Sequence, residues 1–349
     1  MKWEVCPIKD IPHFSIANLN ISCIHFRFQL LRKSMIGVIT MLRYTLNRFK
    51  WAIITLWAVI TLTFIIMHTI PGNPFAKEGA MPPAVYENLQ VHYGLDKPLL
   101  TQYGNYLLEV VQFDFGPSLK SSSISVNDYI LKGFPVSLHL GAQALVIAIF
   151  FGLILGVVAS LKRNKWPDYL SMIIAIVGIS VPNFILATIL INYFAIKWNI
   201  FPVATWATWQ HTILPSIALS MMPLAFIARL MRTSMLEVMG QDYILTAKAK
   251  GLKRSGVIIK HAIRNALLPI ITILGILTAN IVTGSFIIER IFGIPGMGDM
   301  FVKGISNRDY PVILGSTIVY SAVLILLIFI VDIAYTLIDP RIKVTGEKK

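Results

Sequence analysis

Six long apolar runs, at about 51–70, 138–160, 169–195, 213–231, 266–288 and 312–337, constrain what this chain can fold into more than any other feature. Roughly 20 apolar residues in a helix cross the 30 Å or so of hydrocarbon in a bilayer, whereas apolar runs of about 10–14 residues belong to buried helices of water-soluble domains. A backbone in hydrocarbon must also satisfy its own N–H and C=O groups, which a helix does internally. The runs therefore predict an all-α membrane protein with six transmembrane helices. Composition agrees, since 56% of the 349 residues are hydrophobic and 14% charged, against about a quarter charged in soluble domains.

Charge sets the orientation. With the N-terminus inside, residues 1–50, 161–168, 232–265 and the tail beyond 337 lie on the cytoplasmic side. With helix-end charges assigned to the nearer side, 23 of the 31 Lys and Arg residues fall inside and 8 outside, as the positive-inside rule requires. The 17 acidic residues divide 8 to 9, so the bias belongs to the cations. The net charge of +14 is thereby explained by the flanks of spans. A nucleic-acid-binding domain, which gathers its cations on one soluble face, is excluded.

Cys6 and Cys23 are the two cysteines, and both lie in the first 40 residues. The six-span body thus has no disulfide framework or thiolate metal site. Residues 1–40 are mixed in character, lack clear periodicity, and lack the uninterrupted apolar core of a signal peptide. We read them as an extension, either dispensable or preceding a native start near Met41. Residues 41–70 form the first span. Its apolar run of about 20 residues exceeds a signal-peptide core of roughly 7–15, so it reads as a retained anchor. Residues 71–134 form an external segment with turn signals at Pro71-Gly72-Asn73-Pro74, Met81-Pro82-Pro83 and Phe115-Gly116-Pro117. Its stretch from Ala84 to Val111 is helix-compatible and amphipathic. Tyr86, Tyr93, Tyr103, Tyr106 and Phe113 favour a small subdomain over a disordered linker.

After the fourth span, Ser234 and Glu237 have the spacing of a capping box, which predicts a helix start. Gly251 predicts a left-handed end to the next helical stretch, with Lys248 and Lys250 near its negative pole. Helical spacing resumes from Val257 to Leu267, and Pro269 falls early in the fifth span. The expectation is a helix–Gly turn–helix unit at the cytoplasmic face, over 234–269. Small Ala247 and Ala249 beside the turn would let another protein's groove close on the backbone. On pattern alone, an ordinary basic connecting loop fits equally well.

Within the spans, Gly152 and Gly156 predict close helix packing rather than a gate. Pro182, Pro215 and Pro223 predict static bends. Asn183 and Asn280, polar at membrane depth, either line a path or hydrogen-bond between helices. Asp332, near the cytoplasmic end of the last span, is expected to pair with an Arg. The scattered His68, His139 and His211 have no metal-ligand spacing. So few buried carboxylates, and no evident internal repeat, argue against an ion-coupled carrier.

Asp242-Tyr-Ile-Leu-Thr-Ala-Lys-Ala-Lys-Gly251-Leu252, followed by His261-Ala-Ile-Arg-Asn-Ala-Leu-Leu-Pro269, resembles the coupling loop of binding-protein-dependent ABC importer permeases. In that family the loop forms a short coupling helix that docks into a cleft on an ATPase subunit. The acidic residue that opens the general motif is replaced here by Leu245 and Thr246, and this form resembles the peptide and nickel branch. His68-Thr-Ile-Pro-Gly-Asn-Pro74, Tyr93-Gly-Leu-Asp-Lys-Pro-Leu99, Asn307-Arg-Asp-Tyr-Pro311 and Asp339-Pro-Arg-Ile342 are similar to B-type subunits of peptide permeases. Asp114-Phe-Gly-Pro-Ser118, Ser125-Val-Asn-Asp128 and Gly284-Ser-Phe-Ile-Ile-Glu-Arg-Ile-Phe-Gly-Ile-Pro-Gly296 lean toward the oligopeptide branch. The resemblance covers about 41–343.

It implies a type I importer permease fold over 135–338 and a cytoplasmic tail at 339–349, in a multi-pass subunit of the bacterial cytoplasmic membrane with both termini inside. The implied cargo is oligopeptide, with dipeptide or nickel as the alternative. The implied partners are a homologous second permease in a heterodimer, two cytoplasmic ATPases that bind ATP and Mg, and an external substrate-binding protein. ATPase coupling falls to Ser234, Glu237, Asp242, Tyr243, Thr246, Ala247, Ala249, Gly251, His261 and Pro269, and Asn183 and Asn280 stand as path candidates. No cofactor is expected in this chain. The Gly-Lys dipeptide of a phosphate-binding loop occurs nowhere in it, so ATP hydrolysis by that route is not expected.

Overall fold

The computed structural model describes residues 16–69, 96–120, 125–283 and 285–338, with side chains described for 43–69, 96–120, 125–281 and 285–333. The described elements are helices: α1 (Ile16–Thr69), α2 (Leu99–Val111), α3 (Val126–Leu161) and α4 (Trp166–Ser180) come first. Then follow α5 (Asn183–Lys197), α6 (Trp209–Met239), α7 (Asp242–Ala249) and α8 (Arg254–Ala266). The chain closes with α9 (Leu268–Thr283), α10 (Ser285–Phe292), α11 (Met297–Asn307) and α12 (Tyr310–Ile338).

The six expected spans are present, and two of them are broken. α1 from Arg43, α3, α6 and α12 are each long and apolar enough to cross a membrane alone. α4 and α5 make one span bent by 109°, and α8 and α9 another bent by 48°. Pro182 sets the first break. It holds Val181 in an extended conformation, at φ −90° and ψ 118°, and Asn183 opens a new helix. Pro269 sets the second, at the second residue of α9. Pro215 and Pro223, expected to bend the fourth span, lie inside a continuous α6. The apolar window of α6 is 61% buried, so the helices packed around it keep it in one piece.

The core is α3 laid against α6. A Cβ built on Gly152 would lie 2.9 Å from Ile227 Cβ, and one on Gly156 would lie 2.5 Å from Met231 Cβ, so only glycine permits this approach. On the periphery, α1 and α12 run antiparallel over their whole contact. Arg48 pairs with Asp332 at 3.0 Å, meeting the expectation for that acid, and His68 faces Tyr310 at the other end with ring centroids 6.4 Å apart.

Of the stretch 84–111, α2 is the described helical part; residues 84–95 lie outside the described residues. The chain after α2 is fastened by side chains. Phe115 N–H donates to Asn127 Oδ1 at 3.0 Å, and Asn127 Nδ2 donates to the Phe113 carbonyl at 2.7 Å. The Ser118 hydroxyl and the Leu119 N–H both donate to the buried Asp309 carboxylate. Ser125 and Asp128 form a reciprocal capping box that starts α3.

Candidate coupling site

The cytoplasmic stretch folds as a helix, a glycine turn and a second helix, with a different start from the one expected. α6 runs without a break through Ser234 and Glu237 to Met239, so no helix begins at Ser234. The capping-box spacing loses here to tertiary packing. Ser234 is buried beside Met231 and Met235, and continuing the helix keeps all three inside. The short helix α7 starts instead at Asp242, after Gln241, with the Asp242 carboxylate in its first turn and Lys248 in its last, both favourable to the helix dipole.

Gly251 ends α7 as expected. Its φ is +74°, the Gly251 N–H bonds the Lys248 carbonyl at 3.0 Å, and the Leu252 N–H bonds the Ala247 carbonyl at 3.4 Å. These two bonds make a Schellman motif, which satisfies carbonyls the helix would otherwise leave bare. Within α7, the Thr246 hydroxyl donates to the Asp242 carbonyl at 3.0 Å.

Two side chains seat the helix. Ile244 and Ala247 are buried in a cluster with Met231, Met235, Val257, Ala262 and Ala266. Ala247 therefore faces the chain's own core. Asp242, Tyr243, Leu245, Thr246, Ala249 and Gly251 are exposed. α8 carries a π-helical stretch over Val257–Ile263. His261 is half-buried on it, its carbonyl accepting from Asn265 Nδ2 at 2.8 Å, and Pro269 is exposed at the kink beyond.

An ion pair that sequence reasoning did not single out ties this region to the broken span. Arg232, about two turns inside α6's end, donates from Nε to Asp168 Oδ1 at 2.6 Å and from Nη2 to Asp168 Oδ2 at 2.8 Å. Asp168 is buried in the first turn of α4 and also accepts from the Asn164 N–H at 3.0 Å. The two residues stand 64 positions apart with no local signal joining them.

A second missed group lies at the opposite end of the bundle. Glu289 on α10 is fully buried, and its described partners are neutral. It accepts from the Ser137 hydroxyl at 2.7 Å and from the Gly298 N–H at 2.7 Å, while Ser137 Oγ accepts from the Met297 N–H at 2.9 Å. A Cβ on Gly296 would collide with the Glu289 carboxylate. The network pins the turn between α10 and α11 onto α3. One signal in the sequence could have found it: a Glu directly after the apolar run that ends at Ile288, in Phe286-Ile-Ile-Glu-Arg-Ile-Phe292.

The two path candidates are not brought together. Asn183 lines a cleft of about 250 Å³ at the α4–α5 break, with Val181, Pro182, Met222 and Ile288 among its walls. Asn280 is exposed on α9 and is not among those walls.

Six spans, two of them broken, with an exposed helix between the fourth and fifth, fit the membrane subunit of a transporter. The family model "Binding-protein-dependent transport system inner membrane component" matches residues 148–344, and the model for the N-terminal part of such membrane components matches 41–140. The chain belongs to this family. It is 55% identical over 303 residues to the dipeptide transport system permease protein DppB of Bacillus subtilis (strain 168), covering 87% of this chain and 98% of that one. It is 44% identical over 306 residues to the oligopeptide transport system permease protein OppB of Escherichia coli (strain K12), covering 87% of this chain and 100% of that one. Among solved structures, an inward-facing form of the MetNI methionine ABC transporter shares its fold, at a TM-score of 0.52 and 17% identity over 60% of this chain and 96% of that one. The fold is that of a type I ABC importer permease.

Proposed function

We propose that this chain is one membrane half of an ATP-driven importer of short peptides in the bacterial cytoplasmic membrane, driven through the outward face of α7. The observation that carries the proposal is α7 itself. A helix of eight residues is marginal alone, yet this one is closed at its C-terminus by the Gly251 turn, seated by Ile244 and Ala247, and keeps Tyr243, Leu245 and Ala249 facing outward. A rigid, exposed helix carrying apolar and aromatic side chains suits docking into another subunit's cleft.

The rest of the machine follows from this reading. A homologous second permease completes the path, two cytoplasmic ATPases bind ATP and Mg beneath it, and an external binding protein delivers the peptide. Both termini are cytoplasmic, as the 23-to-8 distribution of cations favours. The cargo reading rests on the names of the relatives, which divide between dipeptide and oligopeptide transport. Both denote peptides, so the class of cargo is the conclusion and its length a second question. Asn183, on the wall of the cleft, and Asn280, on the exposed side of α9, remain path candidates, because polar side chains at membrane depth tend to face a bundle interior or a cavity. Ser234 and Ala247 support α7 from inside the core, Thr246 lies on α7 itself, and Glu237, His261 and Pro269 flank it.

The test is Gly251→Val in the chain co-expressed with its partner subunits and reconstituted in proteoliposomes. An L residue held in a left-handed conformation costs about 1–2 kcal/mol, which disfavours the docking geometry roughly tenfold. A Cβ at Gly251 meets nothing within 4 Å, so folding and insertion are unaffected by clashes. The expected result is normal membrane assembly with peptide uptake reduced about tenfold. Normal ATP-driven uptake by this variant would defeat the reading.

A further inference from the structure

We infer that α2, within a segment expected to be wholly external, lies at the depth of the outer leaflet and turns a strip of Leu100, Gly104, Leu108 and Val111 to lipid acyl chains.

The depth follows from register against α1. Gln102 Oε1 meets His68 Nε2 at 3.2 Å, the Tyr103 hydroxyl meets Thr61 Oγ1 at 2.6 Å, and the Tyr106 ring stacks on Phe64 at 6.0 Å. Leu107 and Val110 pack in one cluster with Ile60. α2 therefore descends antiparallel beside α1 from His68 toward Ile60. Counted from Trp51, just inside Lys50, Ile60 lies about 14 Å and His68 about 26 Å along the helix axis at 1.5 Å per residue. Both fall within the roughly 30 Å of hydrocarbon that the span crosses. Any tilt of α1 shortens these heights and places α2 deeper.

The surface of α2 divides into three strips at 100° per residue. Tyr103, Tyr106, Leu107 and Val110 face the protein. Beside them, Leu100 is 86% exposed, Leu108 63% and Val111 76%. Thr101, Asn105, Glu109 and Gln112 form a polar strip on the remaining side. Half of the apolar arc thus has no cover among the described residues. On α1, exposed Leu62, Ile65 and Ile66 flank the stripe that holds α2. With the helices antiparallel, both uncovered apolar strips lie on the same side of their seam and form one surface. That surface is aliphatic and uncharged, without the Trp, Tyr or Arg anchors that protein partners use. Acyl chains are its fitting occupant, and the polar strip turns away from them.

Site-directed spin labelling tests this in the full chain, with Cys6→Ser and Cys23→Ser, co-expressed with its partner subunits and reconstituted in lipid. Single labels are placed at Leu108→Cys, Val111→Cys and, on the polar strip, Asn105→Cys. Collisions with lipid-soluble oxygen and with a water-soluble nickel chelate are then measured. Oxygen dominates at 108 and 111, with an oxygen-to-nickel ratio several-fold above that at 105. Nickel dominating at 108 and 111 would put the strip in water. Low collision with both reagents would put a protein on it, the second permease or the binding protein. Either outcome overturns the proposal.

Discussion

Glu289 shows how a residue can be essential to the bundle and yet easy to overlook. Its carboxylate accepts hydrogen bonds from Ser137 and Gly298, both at 2.7 Å. Ser137 in turn accepts from the Met297 N–H. Glu289→Leu leaves a buried backbone donor and a buried hydroxyl without their acceptor, at about 1–3 kcal/mol each. The variant should lower the melting temperature of the purified complex, and Glu289→Gln, which keeps one acceptor oxygen, should lower it less. Equal melting temperatures for the Glu289→Leu variant and wild type would show that the network contributes nothing. The acid was visible in the sequence as a charge one residue beyond an apolar run. Its role was not, because the partner Ser137 lies 152 positions away on another helix. Gly251 is the opposite case: its left-handed turn is a local property, and local sequence was enough to foresee it.

At the scale of elements, legibility follows the range of the cause. The six spans were readable because length and hydrophobicity act within each run, and the close α3–α6 contact because two glycines four apart mark one face of a helix. Gly156→Val tests that contact. Its side chain would enter space already held by Met231 Cβ and the Ala228 carbonyl, both within 2.6 Å of the Cβ position. Overpacking of this kind costs about 1–3 kcal/mol, and here the clash includes backbone, which cannot rotate away. The variant should yield markedly less folded, co-purifying complex, whereas Gly104→Val on α2, where nothing lies within 4 Å, should not. Equal yields for the two would contradict the packing account. Other features were set by neighbours and read less well. Pro182 marked the site of the α4–α5 break but not its 109° angle. Pro215 and Pro223 looked the same in sequence, and α6 stays whole because α3 and α4 enclose it. The apparent helix start at Ser234 failed for the same reason: burial of Met231, Ser234 and Met235 favours continuing α6 over capping a new helix.

For the whole molecule, the proposed coupling requires that a displacement at α7 reach the broken span. α7 is fixed to the end of α6 through Ile244, and α6 is fixed to the first turn of α4 through the two-pronged Arg232–Asp168 pair. α4 ends at the Pro182 break, where Asn183 lines the cleft. The pair is thus the polar joint between the cytoplasmic surface and the membrane interior, and it is rigid because both carboxylate oxygens are held. Removing one partner of a buried pair costs about 3–5 kcal/mol. Arg232 keeps 26% of its side-chain exposure, so water offsets part of that cost. Asp168→Asn loses the charge but keeps the shape, and loosens the joint without emptying the site. In proteoliposomes, the variant should hydrolyse ATP with its partner subunits yet move fewer peptides per ATP than wild type. The exchange Asp168→Arg with Arg232→Asp should recover part of that ratio, since the pair is restored in reverse. A stoichiometry unchanged in Asp168→Asn would mean that the motion bypasses α4, leaving α8 and its 48° bend to α9 as the route from α7 into the membrane.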